Sequence, residues 1–173
     1  KIDTLNVKYI SKYADKLGIM GNYNSSLLLL NKSLRWVSNK ARIYSCKSTV
    51  WQYYTGELIK NNKDPKAATD TALFYLEKAC VTDTNDVELF VMACAINIQF
   101  GMFDKALKDI KNAIRIQPNN KDHILFRGMC KVGLQDMEGA YEDLKNITIN
   151  RKNDGSMYFY RGISELYLDK YKE

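Results

Sequence analysis

The sequence predicts an all-α fold, a solenoid of antiparallel helix pairs with four units plus the first helix of a fifth. Two observations carry that expectation. A fixed order of small and large residues recurs at 34-residue intervals. Within each interval two apolar segments of helical periodicity, about 14 residues each, flank a polar or glycine-containing break such as Phe100-Gly101-Met102 or Gly133-Leu134-Gln135.

The pattern is plainest over residues 87–120. There Phe90, Cys94, Gly101, Phe103, Ala106, Ile110, Ala113 and Pro118 read aromatic, small, glycine, aromatic, alanine, large apolar, alanine, proline. One step of 34 places Ile124, Gly128, Gln135, Met137, Ala140, Leu144, Ile147 and Lys152 at the same positions, and a second step reaches Tyr158, Gly162, Asp169 and Tyr171. Two short antiparallel helices bury little between themselves, so such units must stack on neighbours to close a core. Stacking demands small residues where helix backbones approach, here Cys94, Gly128 and Gly162 on first helices and Ala106, Ala113 and Ala140 on second ones. Large residues, namely Phe90, Ile110, Ile124, Leu144 and Tyr158, fill the space between those crossings.

A 34-residue helix-turn-helix unit with this order resembles the tetratricopeptide repeat family. Residues 87–120 match it best, down to Gly101, Ala106, Ala113 and the ending Pro118-Asn119-Asn120. The resemblance implies an α-α superhelix used as a protein-interaction scaffold.

Counting back in the same register gives a unit at 7–40, with Ile10, Ala14, Gly21, Tyr23, Ser26, Leu30 and Ser33 in the expected places. Serine stands for alanine at 26 and 33, which keeps the side chain small. The next unit, 41–86, is twelve residues too long, although Tyr44 and Ser48 fit its first helix and Ala72, Leu76 and Ala79 its second. The surplus must lie between them. A lengthened first helix is therefore expected from about Ala41 to about Lys60, then a loop, then a helix from Pro65 to about Cys80, started by the Asp64-Pro65 pair. Trp51, Tyr53 and Tyr54 in the extension are expected to pack against a neighbouring helix rather than to dock a partner. Units at 87–120 and 121–154 follow, and 155–173 supplies only a first helix. With no initiator Met and an end at Tyr171-Lys172-Glu173 inside a unit, the whole is expected to be one solenoid, a fragment of a longer protein.

Composition fits a globular chain, 46% hydrophobic and 27% charged, and no apolar run is long enough to span a bilayer; Leu27 to Leu30 is four residues. The net charge of +6 is uneven. Residues 1–66 hold twelve lysines and arginines against four acids, and residues 67–173 hold fourteen against sixteen. Lys8, Lys12 and Lys16 form a basic end that could meet an acidic partner or nucleic acid, although solvated helix faces are the preferred explanation of such charges and no nucleic-acid module is present. Cys46, Cys80, Cys94 and Cys130 lack the close spacing of a zinc site, and no metal or cofactor is expected. They read as small core residues in a reducing compartment, which favours the cytoplasm. His123 is the only histidine and is expected at the surface or in a helix cap. With no phosphate loop and no nucleophile signature, no enzyme is expected. Asp104, Asp109, Glu138, Glu142 and Asp143 read as exposed charges.

In the tetratricopeptide family the first helices line a concave face that takes peptides or helices. Carried over by register, that lining is Val91, Met92, Ala95 and Ile98, then Leu125, Phe126, Met129 and Val132, then Phe159, Tyr160, Ile163 and Leu166. The first unit contributes Lys8, Ser11, Lys12 and Asp15 in the same register. Some family members clamp a chaperone's C-terminal carboxylate with Lys, Asn and Arg; apolar residues stand in those places here, so that partner is disfavoured. An apolar groove suits an amphipathic helix, with adaptable methionines as contacts. The expected function is non-catalytic binding of a partner helix or peptide, with an acidic flank meeting the basic end. Two alternatives are a purely architectural spacer in a large assembly of ciliary, anaphase-promoting or trafficking type, and nucleic-acid or acidic-partner binding through the basic units.

Overall fold

The computed structural model describes residues 3–145, 147 and 155–170, and among them finds only helices. They are α1 (Asp3–Ile19), α2 (Tyr23–Ser33), α3 (Lys40–Lys60), α4 (Lys66–Thr82), α5 (Val87–Gln99), α6 (Phe103–Ile116), α7 (Lys121–Gly133), α8 (Met137–Leu144) and α9 (Gly155–Lys170). The fold is all-α, built from sequential antiparallel pairs. Two compact units divide the chain, Lys1–Leu89 and Phe90–Glu173. The repeat positions at 148–154 and 171–173, including Lys152 and Tyr171, lie outside the described residues.

The same turn ends four first helices. Asn22, Lys63, Met102 and Asp136 each donate a backbone N–H to the carbonyl five residues back, on Leu17, Leu58, Asn97 and Lys131, at 2.7–2.9 Å. The residue before each donor is left-handed: Gly21 (φ 78°), Asn62 (φ 54°), Gly101 (φ 71°) and Gln135 (φ 63°). Glycine takes this conformation without a Cβ clash, asparagine tolerates it, and glutamine does neither.

This turn also locates the twelve extra residues. Relative to α5, helix α3 runs seven residues, two turns, further before its left-handed residue. Helix α4 begins three residues early in its own register, and the connector takes the other two. The side chain of Asp64 accepts from Lys66 N at 2.9 Å, so the expected aspartate-proline start is present, one residue ahead of the helix.

In the first unit, α1, α2 and α3 pack on one another and α4 pairs with α3. Ser26 and Ser33 are fully buried, and their hydroxyls donate to the Ala14 carbonyl at 2.7 Å and the Leu29 carbonyl at 2.8 Å. Serine thus substitutes for alanine without an unpaired group. Tyr53 and Tyr54 pack on neighbouring helices as expected: Tyr53 donates to Asp15 at 2.7 Å across α1, and the Tyr54 ring lies 5.3 Å from that of Tyr23, while half-buried Trp51 meets Tyr54 of its own helix. The α3–α4 pair is tied by reciprocal cation–π contacts, Lys47 over Tyr75 at 4.6 Å and Lys78 over Tyr44 at 4.7 Å. Only 4% of Lys47 is exposed. Burial holds its ammonium below the ordinary lysine value, and repulsion from Lys78 adds to the effect.

In the second unit, Leu125, Leu144 and Ile147 form a core cluster against which Ile124, Met129 and Tyr160 pack. Gly128 lies at the α7–α8 crossing, where an added Cβ would come within 2.7 Å of Leu144 Cγ and Cδ2. At the equivalent Gly162 an added Cβ meets nothing within 4 Å, because no second helix follows α9 among the described residues.

Substitution should therefore act oppositely at these two glycines. Gly128→Ala is expected to lower the unfolding free energy by about 1–2 kcal/mol, because overpacking exceeds the gain in helix propensity. Gly162→Ala should instead raise it by up to about 1 kcal/mol. Gln135→Gly should relieve about 1 kcal/mol of left-handed strain. Urea titration of each variant measures all three.

Candidate functional site

The candidate surface is the apolar row on α5, α7 and α9, all but the first turn of α5 lying in the second unit. Helix α5 is seated against α7 by Cys94 and Cys130, whose sulfurs are 4.0 Å apart, and α9 packs on α7 and α8. Both cysteines are fully buried, and their mutual contact together with burial raises the Cys94 thiol far above its ordinary value, so it remains protonated.

Taken by helix, Val91, Met92 and Ile98 are half-buried on α5, and Ala95 is exposed. On α7, Phe126, Met129 and Val132 are half-buried, whereas Leu125 is buried in the Leu144–Ile147 cluster and contributes packing. On α9, Tyr160 and Ile163 are half-buried, while Phe159 and Leu166 are 61% and 72% exposed. Tyr158, off the row, is also exposed, and its register-mate Phe90 is buried. Most of the row thus keeps some surface in water, most of all on α9. Lys8, Lys12 and Lys16 are exposed on α1 in the first unit, beside exposed Tyr9 and Tyr13. Ser11 in the same register is buried, and Asp15 is held by Tyr53.

Three residues read as surface groups turn out to be internal. Asp143 is 9% exposed and pairs with Arg127 Nη2 at 2.5 Å and Lys131 Nζ at 2.8 Å. Burial alone would raise its carboxyl, but hydrogen bonds and charge from Arg127 and Lys131 outweigh that and hold it below the ordinary value. Asp109, one register step earlier, is half-buried and accepts from Asn97 Nδ2 at 2.8 Å. His123 is 4% exposed with its Nδ1 unpaired, and the cap at this helix is made by Asn120, whose side chain accepts from Asp122 N at 3.0 Å. The repeat itself held the signal for His123, since its register-mate Leu89 is buried. For Asp143 the signal was Arg127 and Lys131, four residues and so one turn apart on the facing helix.

The pairing of Lys47 with Tyr75 occupies the same repeat positions as that of Arg127 with Asp143. A cation on the first helix meets the second helix at one fixed height, whatever acceptor stands there. No group of three or more potential metal ligands occurs among the described residues, nor is any described helix long and apolar enough to cross a membrane.

No protein-family model and no curated protein matches the sequence. Solved structures do match. MamA 41-end from Desulfovibrio magneticus RS-1 is similar with a TM-score of 0.70 at 13% identity, over 96% of this chain and 87% of that one. A MamA RS-1 double mutant gives 0.71 at 13% identity, over 96% and 86%. TTC0263, a thermophilic TPR protein in Thermus thermophilus, gives 0.64 at 13% identity, over 92% and 81%. The chain therefore has the tetratricopeptide-type fold that the repeat register predicts.

Asp143→Asn should cost about 2 kcal/mol near neutral pH, less than for a wholly buried pair because Arg127 and Lys131 reach solvent. Since the native carboxyl titrates below its unfolded counterpart, the stabilisation is complete above about pH 4 and disappears as pH falls through the native value. Chemical denaturation of both proteins between neutral and acid pH should show the two curves converging at the acid end.

Proposed function

We propose that the chain is a non-catalytic protein-binding module whose second unit receives an amphipathic partner helix or peptide along the row on α5, α7 and α9. The fold is one generally used as a protein-interaction scaffold, and that general role is the starting point. The observation that carries the finer reading is the exposure of Phe159 and Leu166 on α9, whose register-mates on α7 are buried Leu125 and half-buried Val132. Large apolar side chains left in water at the spacing of one helix face favour a ligand that covers them. Met92 and Met129 supply side chains that can adapt to its shape. Neither Lys, Arg nor Asn occupies the row, so a free carboxylate has no partner there and an apolar ligand is preferred.

A second reading rests on Lys8, Lys12 and Lys16, exposed beside Tyr9 and Tyr13 on α1. This end would hold an acidic segment of a protein partner, and nucleic acid is the less favoured occupant. The setting proposed is the cytoplasm, with four cysteines kept as thiols.

Affinity purification with the full chain from its source cell identifies the ligand, and variants then locate its seat. Phe159→Asp and Leu166→Asp, both at exposed positions, should each weaken binding by about 2 kcal/mol if they are central contacts. Lys8→Glu with Lys12→Glu should reduce affinity mainly at low salt. Unchanged binding by both α9 variants would remove the row as the binding surface, and crosslinks confined to other faces would favour the architectural alternative.

A further inference from the structure

The first unit holds a cleft that the regular repeat does not make. It measures about 430 Å³ and lies between the start of α2 and the middle of α3, with Tyr23, Trp51 and Tyr54 around it and Leu27 and Val50 among its apolar lining. The Tyr23 and Tyr54 rings are 5.3 Å apart at 57°, and Trp51 and Tyr54 are 5.9 Å apart at 69°. Three rings set at steep angles present faces and edges around one corner instead of stacking flat. No lysine or arginine lines the cleft, although residues 1–66 carry the chain's net positive charge, twelve lysines and arginines against four acids. A carboxylate is held at its edge: Tyr23 donates its hydroxyl to Glu57 Oε2 at 2.6 Å. A phenol so engaged becomes more electron-rich, which strengthens the attraction of its face for a cation.

Residue identity and the extension of α3 together assemble this arrangement. Trp51 stands at a regular repeat place, where later units put Asn97 and Lys131, which reach across to their second helices, and Tyr54 stays helical where its register-mate Phe100 already belongs to the turn. Glu57 lies in the two extra turns that no other described first helix has.

We propose that the Tyr23–Trp51–Tyr54 cleft is a recognition site for a methylated ammonium group, such as a trimethylated lysine side chain or a choline head. Such a group is cationic yet poorly hydrated, so aromatic faces and a nearby carboxylate replace its water shell at little cost, whereas an anion finds no donor cation there. The hydrogen bond to Glu57, with burial secondary, pushes the Tyr23 hydroxyl up to about 12, so it stays a neutral donor across the physiological range. A cleft of this volume is large enough for one such head and the chain that carries it.

Calorimetric titration of the full chain with choline, and with its neutral carbon analogue 3,3-dimethylbutanol, tests the assignment. Choline should bind saturably and about tenfold more tightly than the neutral analogue. Tyr54→Ala and Trp51→Ala should each lose about tenfold or more, and Trp36→Ala, at an exposed tryptophan outside the cleft, should lose nothing. Because the ring deletions could disturb packing, Glu57→Gln at an exposed position provides an independent variant, expected to weaken choline severalfold and leave the neutral analogue unaffected. A trimethyl-lysine peptide titrated against phosphocholine then distinguishes a protein source from a lipid head, either preference supporting the site. Equal affinity for choline and the neutral analogue, unchanged choline binding in Glu57→Gln and Tyr54→Ala, or no saturable binding at all would overturn it.

Discussion

How closely the two helices of a unit can approach governs this fold. At the crossing, the first helix carries Ala14, Ser48, Cys94 or Gly128 and the second Ser26, Ala72, Ala106 or Ala140, and every one of these is buried. One turn further along the second helix, Leu30, Leu76, Ile110 and Leu144 are all fully enclosed. The small residues set the interaxial distance, and the large ones fill what that distance leaves. A small residue alone is not enough, since Gly162 has the right place but no described helix across from it and so nothing to approach.

The repeated turn fixes the other half of the geometry. A left-handed residue closing a six-to-one hydrogen bond returns the chain at a set angle, so the second helix meets the first with its small residues already aligned. The turn keeps its form at Asn62 although α3 is two turns longer there, which shows how the extension is tolerated: length is added upstream of the turn, and the crossing near Ser48 and Ala72 stays where the register requires. What projects beyond that crossing then packs sideways, Tyr53 on Asp15 and Tyr54 on Tyr23, and gives the first unit an aromatic surface unlike the rest. Polar contacts across three of the pairs reach one register place on the second helix, Tyr75, Asp109 or Asp143, from Lys47, from Asn97, and from Arg127 with Lys131. Their chemistry and their starting turn on the first helix change while the second-helix place does not.

Both units leave large apolar side chains in water. In the first, Tyr23 and Tyr53 donate their hydroxyls to Glu57 and Asp15 and Tyr54 packs beside Tyr23, while Tyr9, Tyr13, Trp36 and Phe74 stay exposed. In the second, α7 is covered by its neighbours, so Leu125 is internal, whereas the row reopens on α9 with Phe159 and Leu166. Position along the row therefore decides whether an identical register place becomes core or surface.

Spacing along the chain was enough to specify the helices, their pairing, the small-residue crossings up to Gly128 though not one at Gly162, the place of the extra residues and the burial of Cys80, Cys94 and Cys130, whereas Cys46, expected in the core with them, is half-buried. The 34-residue period repeats each constraint until chance is excluded. Which polar residues turn inward was settled only by packing. Asp143 and Glu142 are adjacent carboxylates on one helix, and only the approach of Arg127 and Lys131 from α7 makes the first internal and leaves the second exposed. The same holds for the corner formed by Tyr23, Trp51 and Tyr54, where residues from two helices meet because α2 folds back against a lengthened α3. Periodicity reports which face of a helix is buried, whereas the partner across that face depends on a second helix whose rotation only the packed core sets.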